Sequence, residues 1–303
     1  MGLSDMIRAL ARPLYTLLLF TKSDIKTTVI PVTSLAAAGA PLAAPGRIIH
    51  VIFWIWLHVL QFDVSNQTMD PEEDAQNKRD RPLPAGRITL ANALLLRWLL
   101  VPICFSISVL YSTQTFHASV ALVALTIIYN ELAAHRMHWA IRNAVNALGF
   151  ASFEVGATLV AGTDPTRLDS VGMHSVLISA GIFASTIHAQ DFKDTEGDRA
   201  IGRQTIPIML PAYARLTVII PLFLWSSGLS VFWQLNPMLG LLFIALCGWR
   251  SIGTMFGCLQ LMRSRHTIEH LFSIAQHCSC EIISNSSSLH TPRLRAHTYL
   301  QWS

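Results

Sequence analysis

Asn66, Asp70 and Asp74 stand at i, i+4 and i+8 within the stretch NQTMDPEED. On a helix that spacing lines three oxygen-bearing side chains along one narrow stripe. A second stretch, QDFKDTEGDRAIGRQTIP over residues 190–207, sets Asp191, Asp194 and Asp198 at i, i+3 and i+7, again on one face. Carboxylates gathered this closely repel one another, and cations relieve the repulsion. Hard oxygen donors select Mg²⁺ or Mn²⁺, and Mg²⁺ is usually held by a few carboxylates together with substrate phosphates. Two such clusters on facing helix ends could hold a diphosphate between them through bridging ions. The plainer alternative, a pair of solvated charged loops, must produce helical register twice.

The elements that would position these residues follow from composition. Of 303 residues, 52% are hydrophobic and 13% charged, with a mean hydropathy of +0.44, whereas a soluble domain carries roughly a quarter charged residues. This is the composition of a multi-span membrane protein. In hydrocarbon the backbone must satisfy its own hydrogen bonds within each segment, so the apolar runs are expected to be helices, and the alternation of a membrane β-barrel is absent. Windows long enough to span fall near 26–45, 47–65, 89–111, 117–134, 139–161, 171–190, 212–233 and 237–262. The fold class expected is therefore an all-α polytopic bundle with eight clear spans.

Three regions are expected. Residues 1–24 form an N-terminal interfacial segment, with an amphipathic helix over 3–20 rather than a cleaved signal peptide. Residues 25–265 form the transmembrane domain, and 266–303 a polar tail. Basic residues concentrate in one set of connections, including Lys22, Lys26, Lys78, Arg79, Arg81, Lys193, Arg199 and Arg203, while the alternate set holds little beyond Arg47 and Arg167. The positive-inside rule then places the N-terminus and both acidic stretches on the cytosolic face, consistent with the endoplasmic reticulum. The net charge of +4 is distributed for orientation and gives no reason to expect nucleic acid as a partner. The five cysteines show neither a disulfide framework nor zinc-ligand spacing.

Ionisable groups inside spans face a cavity or a partner. Arg142, Asn143 and Asn146 share a face in the fifth apolar stretch, and Arg142 near its cytosolic end could offer bidentate donors to a diphosphate. An ion pair with Glu131 or Glu154 is the competing reading. Lys193 and Arg203, embedded in the second acidic stretch, are the other phosphate-contact candidates, whereas Lys78 and Arg79 equally serve orientation.

The two acidic stretches, with KRDRPLPAGRIT after the first and D-x-x-D-x-x-G-D-x-x-x-G-R-x-T-x-P in the second, resemble the paired aspartate-rich motifs of the UbiA superfamily of intramembrane prenyltransferases. The resemblance covers roughly residues 20–262 and is nearest to a fungal branch that includes membrane-bound sesquiterpene cyclases. It implies a helical bundle of nine spans around a central cavity open to the cytosolic side, and Mg²⁺ as cofactor for binding an isoprenyl diphosphate. It further implies Asn66, Asp70, Asp74, Asp191, Asp194 and Asp198 as metal ligands, with Asp70, Asp74, Asp191 and Asp194 catalytic. Arg142, Asn143, Lys193 and Arg203 are then expected to contact the substrate diphosphate. One departure stands out: Gln67 occupies the place where the commoner first motif has Asp, with Glu72 and Glu73 nearby to compensate.

The activity expected is that of a class I terpene cyclase that ionises farnesyl diphosphate and folds the cation to a cyclic sesquiterpene. The alternative is a prenyltransferase that passes the same cation to an aromatic or other acceptor. A transporter would instead place carboxylates at mid-span within inverted repeats, whereas here they cluster at span ends. The expected partners are the isoprenyl diphosphate and the lipid bilayer, with no obligate protein partner inferred. A ninth span would have to come from 266–284, which carries His270, Gln276, His277 and Glu281. A central ionised group costs about 2.5–3.5 kcal/mol on insertion, and each Leu, Ile or Phe returns only about 0.3–0.6. The tail is therefore expected to remain cytosolic.

Overall fold

The computed structural model describes residues 3–69, 71, 74, 78–192, 195–200 and 202–256. Among them the only extended pairing is an isolated antiparallel bridge between Leu42 and Gly162. The helices are α1 (Leu3–Thr21), α2 (Ile30–Gly39), α3 (Arg47–Gln67), α4 (Leu90–Val109), α5 (Thr113–Asn130), α6 (Trp139–Ala161), α7 (Ser170–Thr186), α8 (Thr195–Ala200), α9 (Ile206–Met209), α10 (Leu216–Phe232) and α11 (Pro237–Phe256). Residues 3–20, expected to be helical, fall within α1. Each of the eight apolar windows carries one of α2 to α7, α10 and α11. Four of these segments, Arg47–Gln67, Leu90–Val109, Trp139–Ala161 and Ser170–Phe192, are long and apolar enough to cross a membrane, and Leu216–Phe232 and Pro237–Cys247 are shorter apolar helices. The tail from 266 lies outside the described residues.

Side-chain caps start several of these helices. Thr89, Ser112 and Asp169 accept from the backbone N–H of Asn92, Thr115 and Gly172 at 3.3, 3.0 and 2.7 Å, each satisfying a donor that the first turn leaves unpaired. The first window departs from a single straight helix. Pro31 has no N–H to continue the ladder, and the turn before it widens, with the Ile30 N–H reaching the carbonyl of Ile25 in a π-helical turn over Ile25–Val29. Helix α2 then ends at Gly39, and Ala40 is already extended ahead of Pro41.

α6 sits centrally, packed against α2, α3, α5 and α7. The largest core joins Val32 and Ala36 of α2, Trp54, Ile55 and Val59 of α3, Leu122 of α5, and Phe153, Ala157 and Val160 of α6. A Cβ at Gly156 would lie 2.1 Å from the Trp54 ring, so only glycine lets α3 and α6 approach this closely. Trp54 is fully buried and donates its indole N–H to Ser108 at 2.9 Å, which ties α3 to α4. Outward faces are apolar: Leu95, Trp98 and Leu99 on α4, Phe223 and Leu224 on α10, and Leu241 and Leu242 on α11 are all exposed. In a soluble protein such a surface would be a liability. Around a membrane bundle it is the lipid-facing side.

Candidate active site

α3 ends, α6 begins and α7 ends at one pole of the bundle, and a cavity of about 730 Å³ opens there. Its size lies in the usual range for small-molecule sites, about 300–1,000 Å³. Asn66 from the first acidic stretch and Gln190 from the second both line it, so one space separates the two motifs. Its deeper wall is apolar, with Val59, Leu122, Phe150, Phe153 and Ile187. Phe183 stacks on Phe150 with ring centroids 4.0 Å apart and planes 10° from parallel, which fixes the Phe150 ring from behind. Tyr129 and Phe62 stand 5.8 Å apart, centroid to centroid, on the same lining.

The first acidic stretch is not one continuous helix. α3 closes at Gln67, Thr68 and Met69 form a turn, and helical backbone resumes at Pro71 and Asp74. Pro71 cannot donate to the Gln67 carbonyl, so the stripe is broken where the single-helix reading carried it through. Asp74 is buried and accepts twice from Arg81, at 2.8 and 2.7 Å. Two turns bring Arg81 back to it, the Lys78 N–H reaching the Asp74 carbonyl at 2.8 Å and the Arg81 N–H the Lys78 carbonyl at 3.0 Å, and further tight turns over 82–86 follow, with Pro82, Pro84 and Gly86.

The second stretch is broken as well. α7 tightens into a 3₁₀ segment over Ile187–Phe192, and α8 covers Thr195–Ala200. Asp191, 3% exposed, is bonded to Arg142 of α6. Asp198 accepts from Arg203 at 2.9 Å, and Gly202, at φ +73°, supplies the left-handed residue that turns the chain back between them. Arg142 therefore pairs with neither Glu131 nor Glu154. Glu131 is bonded to Arg97, and Glu154 accepts from the Ser179 hydroxyl at 2.6 Å. Asn143 faces His188, 3.3 Å from its Nδ1. Asp70, Lys193 and Asp194 lie outside the described residues.

Sequence reasoning passed over Asp63. It precedes Asn66 by three residues, extending the i, i+3, i+7, i+11 face of Asp63, Asn66, Asp70 and Asp74. Asp63 is 4% exposed, lines the cavity, and its Oδ2 has no hydrogen-bond partner among the described residues. Tyr129 and Asn146, which line the cavity between the two motifs, were likewise outside the expected set of site residues. The donors at this pole are hard oxygens, Asp63, Asn66, Asp74, Asp191 and Asp198, and a buried carboxylate oxygen is left unsatisfied beside the cavity. Their donor type suits a divalent cation that takes carboxylate and phosphate oxygens, although among the described residues no three acidic, His or Cys side chains are gathered closely enough to hold one together.

Residues 28–256 match the UbiA prenyltransferase family. The chain is similar to fumagillin beta-trans-bergamotene synthase of Aspergillus fumigatus, 35% identical over 237 residues that cover 77% of this chain and 79% of that protein. It is also similar to a diterpene cyclase of Hericium erinaceus, 30% identical over 253 residues covering 80% of each. Among solved structures it superposes on a UbiA homolog from Archaeoglobus fulgidus bound to GPP and Mg²⁺, with a TM-score of 0.69 over 90% of this chain and 100% of that one. Identity there is 14%, a likeness of fold.

Proposed function

The chain belongs to the UbiA prenyltransferase family, and from that membership we propose that it is a membrane-embedded terpene cyclase acting on an isoprenyl diphosphate, with farnesyl diphosphate as substrate and a cyclic sesquiterpene as product. The observation that carries this reading is a cavity with Asp63, Asn66, Lys78 and Arg81 at its polar end and an aromatic, apolar interior, beside which Arg142 and Arg203 brace Asp191 and Asp198. Its similarity to two named cyclases supports cyclisation over transfer.

Each rim residue has a part in this reading. Asn66, Asp70, Asp74, Asp191, Asp194 and Asp198 would hold Mg²⁺, or Mn²⁺ in its place, which when bound supplies charge neutralisation for the departing diphosphate. Arg142 and Arg203 hold Asp191 and Asp198 in fixed positions and bring guanidinium donors next to the leaving group. Lys193 and Asn143 remain candidates for the same contact. Deeper in the cavity, Val59, Leu122, Phe150, Phe153 and Ile187 exclude water and fold the isoprenyl chain. The faces of Phe150 and Tyr129 stabilise the allylic cation once the C–O bond has broken. Under the positive-inside reading the rim opens to the cytosolic side of the endoplasmic reticulum.

The test uses membranes expressing the chain, given farnesyl diphosphate and Mg²⁺ without an acceptor, with the organic extract analysed by gas chromatography–mass spectrometry. A cyclic hydrocarbon from the single substrate is expected, and its formation should cease in EDTA. Intact substrate that is consumed only after an aromatic acceptor is added would assign the chain to transfer instead. Turnover that persists in chelator would remove the metal assignment.

A further inference from the structure

Gln67, the last residue of α3, lies inside the first acidic stretch without being one of its expected metal ligands. It is 2% exposed and lines the cavity, and its amide N–H donates to the Phe20 carbonyl at 3.0 Å. Its carbonyl oxygen has no partner among the described residues. The amide is therefore held through its N–H, and the reverse orientation would set two carbonyl oxygens against each other. Phe20 belongs to the last turn of α1, where a helix leaves its carbonyls unpaired and carries the negative end of its dipole. An acceptor-only side chain at position 67 would face that end unfavourably. A second contact ties the same turn: the Trp56 indole N–H donates to the Thr21 hydroxyl at 3.1 Å, and Phe20 is buried in one cluster with Leu57, Leu60 and Val64 of α3. Leu19 and Phe20 line the cavity, as do Lys22, Ser23, Lys26 and Thr27 in the chain that follows. The end of α1 is thus a side wall of the cavity, fastened from α3.

We propose that Gln67 is a positioning residue whose amide holds α1 as a wall that keeps water out of the cavity, acting on the reaction through α1 and not through a metal ion. The proposal rests on the reading of the cavity as the place where an isoprenyl diphosphate ionises. With the wall fastened, water is excluded and the allylic cation is attacked by its own double bonds. With the wall loose, water adds to the cation: a C–O bond forms, a proton passes to solvent, and the chain leaves as a linear alcohol. Departure of the diphosphate precedes both outcomes, so the demand for Mg²⁺ is the same in each.

Two measurements on purified full-length protein in detergent test this, the first independent of any reaction. Hydrogen–deuterium exchange of residues 17–28 should quicken about tenfold in Gln67→Glu, which keeps the size of the side chain and loses the donor, and in Gln67→Met, which loses it without adding charge. Exchange in α6 should match the wild type. In the second measurement farnesyl diphosphate and Mg²⁺ are supplied in ¹⁸O-labelled water, where label in the alcohol marks cleavage of the C–O bond. The share of labelled alcohol among the products should rise about tenfold in both variants. It should rise in Trp56→Phe as well, which loosens the same turn from outside both acidic stretches. The Mg²⁺ concentration for half-maximal turnover should stay that of the wild type. Unchanged exchange in both Gln67 variants would overturn the tie. Faster exchange with an unchanged alcohol share would overturn the role of α1 as a water barrier, and a raised Mg²⁺ requirement in Gln67→Met would make Gln67 a metal ligand instead. A wild-type chain that forms no product from farnesyl diphosphate would overturn the diphosphate reading and the water barrier with it, while exchange still decides the tie. Should Gln67→Glu aggregate, Gln67→Met and Trp56→Phe carry both measurements.

Discussion

The rim and the floor of the cavity are built by the same helices in different ways. At the floor, α3, α5 and α6 are regular, and they meet through Val59, Leu122, Phe150 and Phe153 in close apolar contact. At the rim the regularity stops: α3 ends at Gln67, α7 tightens into a 3₁₀ segment, and charge pairs take over from packing. A helix end leaves backbone groups unpaired and frees side chains to leave the helical stripe. The difference teaches a division of labour. The floor holds a shape, and the rim holds charge that can be exchanged for ligand.

The largest effect should come from breaking the rim. Asp191→Asn removes a carboxylate from the second motif without changing its size, and turnover should fall on the order of 10²–10³-fold, the usual loss on deleting one group that stabilises developing charge. The measurement is product formation per unit of membrane protein at saturating Mg²⁺. A variant that keeps near-wild-type turnover would mean that Asp191 serves only to neutralise Arg142.

That same pair sharpens the comparison through stability. Arg142 and Asp191 are 5% and 3% exposed, and removing one member of a buried pair strands the other at a cost of about 3–5 kcal/mol. Arg142→Ala should therefore melt well below the wild type in a thermal-shift or fluorescence-detected chromatography assay. Replacing both, Arg142→Met with Asp191→Leu, should restore the melting temperature while leaving no turnover, because well-packed apolar substitutes often match an ion pair in stability. If the double variant melts as low as the single one, the rim charges also hold the fold together.

Much of this division was legible in the residues beforehand, and the illegible part has a physical cause. Apolar runs that must satisfy their own hydrogen bonds announce themselves, so each window carries a helix. Both acidic stretches do face one cavity, through Asn66 and Gln190. Pairing was not legible. Arg81 lies seven residues from Asp74, but Arg142 is 49 from Asp191, and only tertiary packing selects Asp191 over Glu131 or Glu154. The broken stripe was written in Pro71, whose missing N–H outweighs the i, i+4 spacing. Asp63 was hidden by its setting, since a lone acid at the end of an apolar window looks like an interruption until the cavity beside it is known.

The floor should respond differently. Phe150→Leu removes the ring that stacks on Phe183 but keeps the site apolar, and hydrophobic exchanges of this kind usually cost under about 1.5 kcal/mol. Farnesyl diphosphate consumption should stay within about tenfold of the wild type, while the ratio of cyclic to linear hydrocarbons shifts. A loss of consumption well beyond tenfold, with the residual products in unchanged ratio, would mean that Phe150 supports the rim rather than shaping the chain.

The smallest effect lies behind the floor, where shape is held but no substrate reaches. Ser108 accepts the Trp54 indole N–H at 2.9 Å and donates its own hydroxyl to the Cys104 carbonyl at 2.7 Å. Ser108→Ala removes the acceptor and leaves a buried indole N–H unpaired, at a cost of about 1–3 kcal/mol for an orphaned donor. The cost should fall at the low end, because Trp54 stays wedged over Gly156 with its ring fully buried. Melting should drop by a few degrees, and both turnover and product ratio should match the wild type. If Ser108→Ala changed the products, the α3–α4 contact would be shaping the cavity from outside its lining, and the separation of rim from floor would have to be redrawn to include α4.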